Sequence, residues 1–284
     1  MTLKKIYVSS LGRTGAAIVR KVIDSKEFEV CVGIKEEERE KHLTEFGANV
    51  TLISECETDL LAQCLSDADY MFLVPSSTET KVETGKKLID QAVQLNVKCI
   101  VMLSLIGSES EHSSDKTHFK MFQELEEHLL SSNVMCPCIL RCAYYMDNLL
   151  FYKEEIDQGH LPLPIADSKF SMIALDDVAE VFLNVIGQKC EQKVYDISEG
   201  VYSGIDICNL LNQVTGKNMV FQNVNDEESR KLLRGKDLPS YEIDSLAEFY
   251  SLAMQNIMTC SSSHFKDIVG HDPTSLIDFL KAKL

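Results

Sequence analysis

Residues 8–19 read VSSLGRTGAAIV and follow the short apolar run KKIYV (4–8). Ser9, Gly12 and Gly15 fall on the three positions of a G-x-x-G-x-x-G spacing, and GAAIVRKVIDS continues with apolar residues at helical intervals. A glycine turn between a strand and a helix gathers free N–H groups and the positive end of the helix dipole, which suits a phosphate. Glycines serve where the chain bends sharply and where its backbone lies close to a ligand. The spacing predicts a strand–turn–helix unit with candidate dinucleotide contacts at Ser9, Leu11, Gly12, Arg13, Thr14 and Gly15. Ser9 departs from the pattern, because a hydroxymethyl group stands where the first glycine belongs. If that position requires φ > 0, strain of about 1–2 kcal/mol is added. The expectation is a turn that survives with weakened or lost affinity for its cofactor.

Working outward, short β-rich runs alternate with helical patterns. FEVCVGI (28–34), ANVTLIS (48–54), DYMFLVP (69–75), VKCIVMLSLIG (97–107) and PCILR (137–141) read as strands. Between them lie the helical patterns KEEEREKHLTEFG (35–47, closed by Gly47), TDLLAQCLSDA (58–68), TKVETGKKLIDQAVQLN (80–96) and KTHFKMFQELEEHLLSSN (116–133). This alternation predicts an α/β fold with a doubly wound parallel sheet of the Rossmann kind. After about Asn148 the rhythm changes. SMIALDDVAEVFLNVIG (171–187) reads as a helix with Asp176-Asp177 as its cap region, and KVYDIS (193–198) as a strand that rejoins the sheet. SGIDICNLLNQVTGK, SYEIDSLAEFYSLAMQ and DPTSLIDFLKAKL read as further helices, the last with a Pro and a Thr near its start. The expected division is a nucleotide-binding domain over 1–150 and a smaller mixed lobe over 151–284.

Acidic residues outnumber basic ones by 44 to 28, a formal charge of −16. Such a surface repels phosphate backbones, which argues against direct nucleic-acid binding. It is compatible with a protein partner. No apolar run reaches the eighteen or so residues that a membrane helix needs, and MTLKKIYVSS enters a strand pattern directly, so no signal peptide is expected. A cytoplasmic location follows, with the nucleus still open. Ten cysteines include Cys136, Cys138 and Cys142 in MCPCILRC, but no spacing completes a tetrahedral metal set. They are expected to be reduced thiols packed as small hydrophobes.

At the end of the second strand stand Lys35 and then Glu36, Glu37 and Glu38. A base there suits a 2′-phosphate and an acid a ribose hydroxyl. The three glutamates also read as a solvated first helical turn, favourable to the helix dipole. Lys35 with Arg13 favours NADP(H) over NAD(H).

The turn GRTGAAIVR, the strand DYMFLVPSS, IVMLSLIG, ILRCAYYMDNLL, IALDDVA and the closing HFKDIVGHDPTSLIDFL together resemble the NmrA-like group of atypical short-chain dehydrogenases. The resemblance covers nearly the whole chain. It implies a Rossmann domain, a small carboxy-terminal lobe and a cleft between them. Some members reduce quinones or phenylpropanoids with NADPH. Others bind the dinucleotide without evident turnover and regulate protein partners.

Reductases of the wider superfamily use a tyrosine and a lysine one helical turn apart, the lysine holding a ribose and lowering the phenol's pKa. Many NmrA-like members keep the lysine in a helix reading H-F-x-x-K-x-x-x-E-x-x-L. The matching helix here is HFKMFQELEEHLL, with His118 at the tyrosine-like position and Phe122 at the lysine position. A phenyl ring carries no charge, and Lys120 lies about 200° around the helix from it. A one-residue shift brings Gln123, which is uncharged. His118 is a weak candidate acid, otherwise read as a surface or capping residue. Ser104 matches the serine beside the nicotinamide, or else closes its strand by bonding the backbone. Pro75, Tyr144 and Asn148 complete the candidate cofactor contacts, with a helix cap for Asn148 and core packing for one of Tyr144 and Tyr145 as alternatives. These residues imply a catalytically inactive protein that acts by binding a protein partner, with a dinucleotide as possible co-ligand. The alternatives are an NADPH-dependent oxidoreductase of quinones or related carbonyl compounds and a ligand-free scaffold.

Overall fold

The computed structural model describes residues 3–46, 50–54, 57–76, 78–111, 117–187, 194–236 and 238–284. Gly47, the expected close of the second helix, lies outside them. In chain order the first elements are β1 (Lys4–Val8), α1 (Arg13–Ser25), β2 (Phe28–Ile34), α2 (Arg39–Phe46), β3 (Val50–Ser54), α3 (Thr58–Asp67), β4 (Tyr70–Leu73), α4 (Lys81–Gln94), β5 (Cys99–Leu105), α5 (Thr117–Ser131) and β6 (Cys136–Cys142). There follow β7 (Tyr144–Tyr145), a 3-10 turn over Met146–Tyr152, α6 (Lys153–Asp157), β8 (His160–Leu163), β9 (Lys169–Ile173), α7 (Leu175–Gly187) and β10 (Val194–Ile197). The chain closes with β11 (Gly200–Ser203), α8 (Gly204–Thr215), β12 (Val220–Asn223), α9 (Asp226–Arg234), α10 (Ser240–Ala253), α11 (His264–Val269) and α12 (Leu276–Lys283).

Seven strands form one sheet in the order β10-β6-β5-β4-β1-β2-β3. β1 pairs in parallel with both β2 and β4, β2 with β3, and β4 with β5. The fold is the expected doubly wound α/β architecture. The winding reverses between β1 and β4, so the crevice outside their carboxyl ends is the topological switch point where open α/β sheets hold ligands. Sequence and position agree along the strands: central β5 is buried at every residue but Leu105, whereas β2 alternates through much of its length.

The chain divides into two compact units, interleaved along the sequence. One comprises Met1–Ser104, Met121–Leu140 and Val178–Tyr195, the other Leu105–Lys120, Arg141–Asp177 and Asp196–Leu284. The expected division at residue 150 is simpler than this one, since the chain passes back and forth between the units. The first unit is packed around Tyr7, Leu65, Met71, Ile89, Ile100, Leu125 and Ile139. The second has an aromatic core built on Tyr144, Tyr152, Phe170, Phe249 and Tyr250.

Local chemistry in the second unit corrects or refines the sequence expectation in three places. Ser171 to Ile173 do not open a helix; they belong to β9, which pairs antiparallel with β11. Asp176 and Asp177 lie in the first turn of α7, and the Asp177 carboxylate accepts from the backbone N–H and the hydroxyl of Thr274, both at 2.8 Å. The N–H of Leu175 is satisfied by Asp147, 3.1 Å away and 28 residues earlier. The final helix begins just after Pro273 and Thr274, as expected, and is capped by Ser275, which accepts from the N–H of Asp278. Reciprocal capping boxes fix the starts of α8 (Ser203 with Asp206) and α9 (Asn225 with Glu228). Among the described residues no helix is long and apolar enough to cross a membrane.

Candidate functional site

At the amino end of α1 the turn is open. Gly12 is its N-cap residue, with φ −60° and ψ 178°; no side chain caps the helix and its first turn carries no acidic residue. A Cβ built on Gly12 would meet nothing within 4 Å, whereas one on Gly15 would stand 1.8 Å from the Ser10 carbonyl oxygen. The two glycines therefore do different work. Gly15 lets the helix pass against the loop, and Gly12 leaves its face clear. Thr14 and Leu11 are buried beneath the turn, and Arg13 is exposed beside it.

Ser9 does not crowd this space as the sequence expectation held. Its hydroxyl donates to the carbonyl of Val74 at 3.1 Å and accepts from the Val74 N–H at 2.9 Å. Its own N–H donates to the Phe72 carbonyl at 3.0 Å. Ser9 is also absent from the non-glycine residues with positive φ among those described, so the anticipated strain does not arise. Its side chain fastens the end of β1 to the end of β4. Gly33, which the sequence reading passed over, makes room for this: a Cβ there would lie 2.6 Å from the Ser9 carbonyl oxygen and 2.7 Å from the Tyr7 hydroxyl.

The open Gly12 face, the absence of a side-chain cap there and a first turn of α1 without an acidic residue fit a dinucleotide pyrophosphate. Pro75 is buried after β4. Lys35 is exposed at the end of β2 and leads into a short 3-10 turn of Glu36–Glu38. Glu36 is engaged by Arg39, whose Nε lies 3.1 Å from its carboxylate, and Arg39 also pairs with Glu57. Glu36–Glu38 thus form a short polar turn with no buried residue, close to the solvated reading.

Where β5 ends the side chains are turned inward. Ser104 is fully buried and donates its hydroxyl to the equally buried carboxylate of Glu126 on α5. Its hydroxyl is therefore bonded to a carboxylate, and not to the backbone group expected for a strand-closing serine. One helical turn before Glu126 stands Phe122, 7% exposed, and over its ring lies the ammonium of Lys81, 3.9 Å from the centroid. Lys81, the first residue of α4, is itself only 2% exposed. The α4–α5 contact that sets this pair is close, because Gly85 faces Leu125, with Lys86–Glu124 and Asp90–His128 pairs along it. Glu126 stands at the E of the helix pattern and was readable there; Lys81 carried no signal in the spacing of its own segment.

Tyr144, Asn148 and His118 belong to the other unit. His118 is neither a surface nor a capping residue. It is buried, its ring meets that of Tyr241 edge-on at 4.3 Å, and its backbone N–H donates to Glu248 at 2.9 Å. Asn148 is buried within the 3-10 turn, not a helix cap. Tyr144 is the core tyrosine of its pair, and its hydroxyl lies 2.8 Å from that of Tyr250, which in turn lies 3.1 Å from that of Tyr152. Burial pushes the Tyr152 phenol up to about 12, and burial with two neighbouring phenols pushes Tyr250 well above its ordinary range. Both are poor proton donors in consequence. A cleft of about 730 Å³ in this unit is lined by Pro164, Asn225, Arg230, Glu248, Tyr250 and Met254 among others.

Fold and turn together define a Rossmann-like α/β architecture of the NAD(P)-binding type. The pattern of the NmrA-like family matches residues 4–268, and the chain belongs to that family. It is 22% identical over 293 residues to the prestalk A differentiation protein A of Dictyostelium discoideum, covering 99% of this chain and 93% of that one. The NADPH-dependent quinone oxidoreductase of Escherichia coli, solved with NADPH, superposes with a TM-score of 0.81 at 18% identity, covering 98% of this chain and 99% of the other. NmrA, a negative transcriptional regulator solved in complex with NAD, superposes with a TM-score of 0.72 at 13% identity, covering 100% and 96% of the two chains. At these identities the structural likeness establishes the fold alone.

Proposed function

We propose that this protein binds a nicotinamide dinucleotide without turning it over, and that the bound dinucleotide tunes its association with a protein partner. The observation that carries the reading is a contrast within the first unit. The Gly12 face is clear and uncapped, while the position of the family's lysine holds the buried ring of Phe122. The groups that would have to move a proton are engaged elsewhere. Ser104 is committed to Glu126, His118 is packed on Tyr241, and the Tyr250 phenol is driven away from ionisation. A bound dinucleotide would supply hydride chemistry; among the described residues, the candidates Ser104 and His118 are not poised as an acid for a ketone substrate.

The expectation of weakened affinity rested partly on Ser9, and the Ser9–Val74 hydrogen bonds remove that ground. The reading therefore favours retained binding. Arg13 and Lys35, both exposed, favour NADP(H). The partner is inferred from the regulatory role named for NmrA and from a surface with formal charge −16, which suits a basic protein face.

Isothermal calorimetry with NADPH, NADP⁺ and NAD⁺ tests the first half, with saturable NADP(H) binding expected. Assays with a panel of quinones test the absence of turnover. A quinone needs less help from a protein acid because its reduced anion is already stabilised, so it is the most demanding substrate for the claim of inactivity. Steady NADPH oxidation would establish the oxidoreductase instead.

A further inference from the structure

The Lys81–Phe122 contact has a defined height in the fold. Ser104, next to the last residue of β5, is bonded to Glu126. Phe122 precedes Glu126 by four residues on the descending helix, which places it about 6 Å further along the axis, beyond the strand end. Lys81 reaches the same height as the first residue of α4, the helix that follows β4. The pair thus lies outside the carboxyl ends of β4 and β5, next to the switch point between β4 and β1.

A lysine in the first turn of a helix sits at the positive end of its dipole, where a cation is disfavoured and an anion welcome. The fold nevertheless holds this ammonium at 2% exposure on the face of an aromatic ring. The ring attracts the cation through its quadrupole and restricts where it lies. Gly85, one turn along α4, admits Leu125 so closely that an added Cβ would stand 2.7 Å from its methyl carbon, which brings the two helix starts together.

We propose that Lys81, carried on α4 and seated on Phe122, is the cationic contact for a dinucleotide bound at this edge. The charge that α5 lacks is delivered from the neighbouring helix. The four-carbon stem carries the ammonium to this edge, and the ring limits where it lies. This inference rests on the reading that a dinucleotide binds.

The test is a fluorescence titration with NADPH on four full-length proteins: wild type, Lys81→Met, Lys81→Arg and the double variant Lys81→Met with Phe122→Lys. Lys81→Met is expected to weaken binding roughly tenfold or more, as loss of a charge-assisted contact does. Lys81→Arg should retain most of the affinity, and the double variant should regain much of it by returning the charge to α5. If folded Lys81→Met binds NADPH as wild type does, this inference is overturned and the proposed function stands. If wild type itself does not bind, both fall. Should Lys81→Met fail to fold, Phe122→Leu keeps the lysine and removes its platform; a several-fold loss of affinity supports the contact, and no loss overturns it.

Discussion

The glycine turn and the α4–α5 contact belong to the same unit and lie at the same end of the sheet, yet they are built on opposite terms. At the turn, side chains are withheld: Gly12 faces open space and Ser9 is folded back onto Val74. At the contact, space is filled by a phenyl ring, an ammonium and a buried serine–carboxylate pair. On the proposed reading, the difference separates binding from turnover within one scaffold. A phosphate cradle needs only clear backbone, whereas proton transfer needs a particular group, correctly ionised, at one place.

The sharpest way to break this comparison is at the glycines. Gly15→Ala puts a Cβ 1.8 Å from a backbone oxygen, so it should cost about 3 kcal/mol or more in denaturant unfolding and abolish NADPH binding with it. Next in size, Tyr250→Phe removes the hydroxyl shared by Tyr144 and Tyr152. It should destabilise by about 1–3 kcal/mol, because buried phenols lose their partner, while NADPH affinity stays unchanged. A fall in affinity would show that the second unit's tyrosines take part in binding. Ser9→Ala should cost about 1 kcal/mol through the lost bonds to Val74, again without loss of affinity. A gain in affinity would restore the view that the hydroxyl intrudes. Gly12→Ala is the smallest perturbation to the fold, below about 1 kcal/mol for an N-cap change, but it fills the clear face and should weaken NADPH binding. Equal effects of Gly12→Ala and Gly15→Ala on stability would erase the distinction drawn between them.

Much of the fold was legible because periodicity reports it. FEVCVGI coincides with β2, and the helix predicted over 116–133 is observed over Thr117–Ser131. The second unit was harder. HLPL and VFQN are four-residue strands that pair with each other in parallel, and runs so short carry little alternation. Residues 171–173 read as helix because they adjoin one, while their partner β11 lies some 28 residues downstream. The site shows the same limit. The spacing located the turn and the family resemblance placed Phe122, but Ser9's hydrogen bonds run to a residue 65 positions away and Lys81 meets Phe122 across 41. Chemistry assembled between distant segments leaves no local pattern. Glu126 was the exception, visible in the helix pattern but without a partner until Ser104 was placed beside it.

The chain has no tryptophan, so NADPH fluorescence can be followed without that background, and one two-stage titration tests the central claim directly. NADPH is added to saturation, and a quinone is then introduced. The account predicts a saturable change in NADPH fluorescence that stays level after the quinone arrives. A steady decay at that point, or no change on adding NADPH, would contradict it.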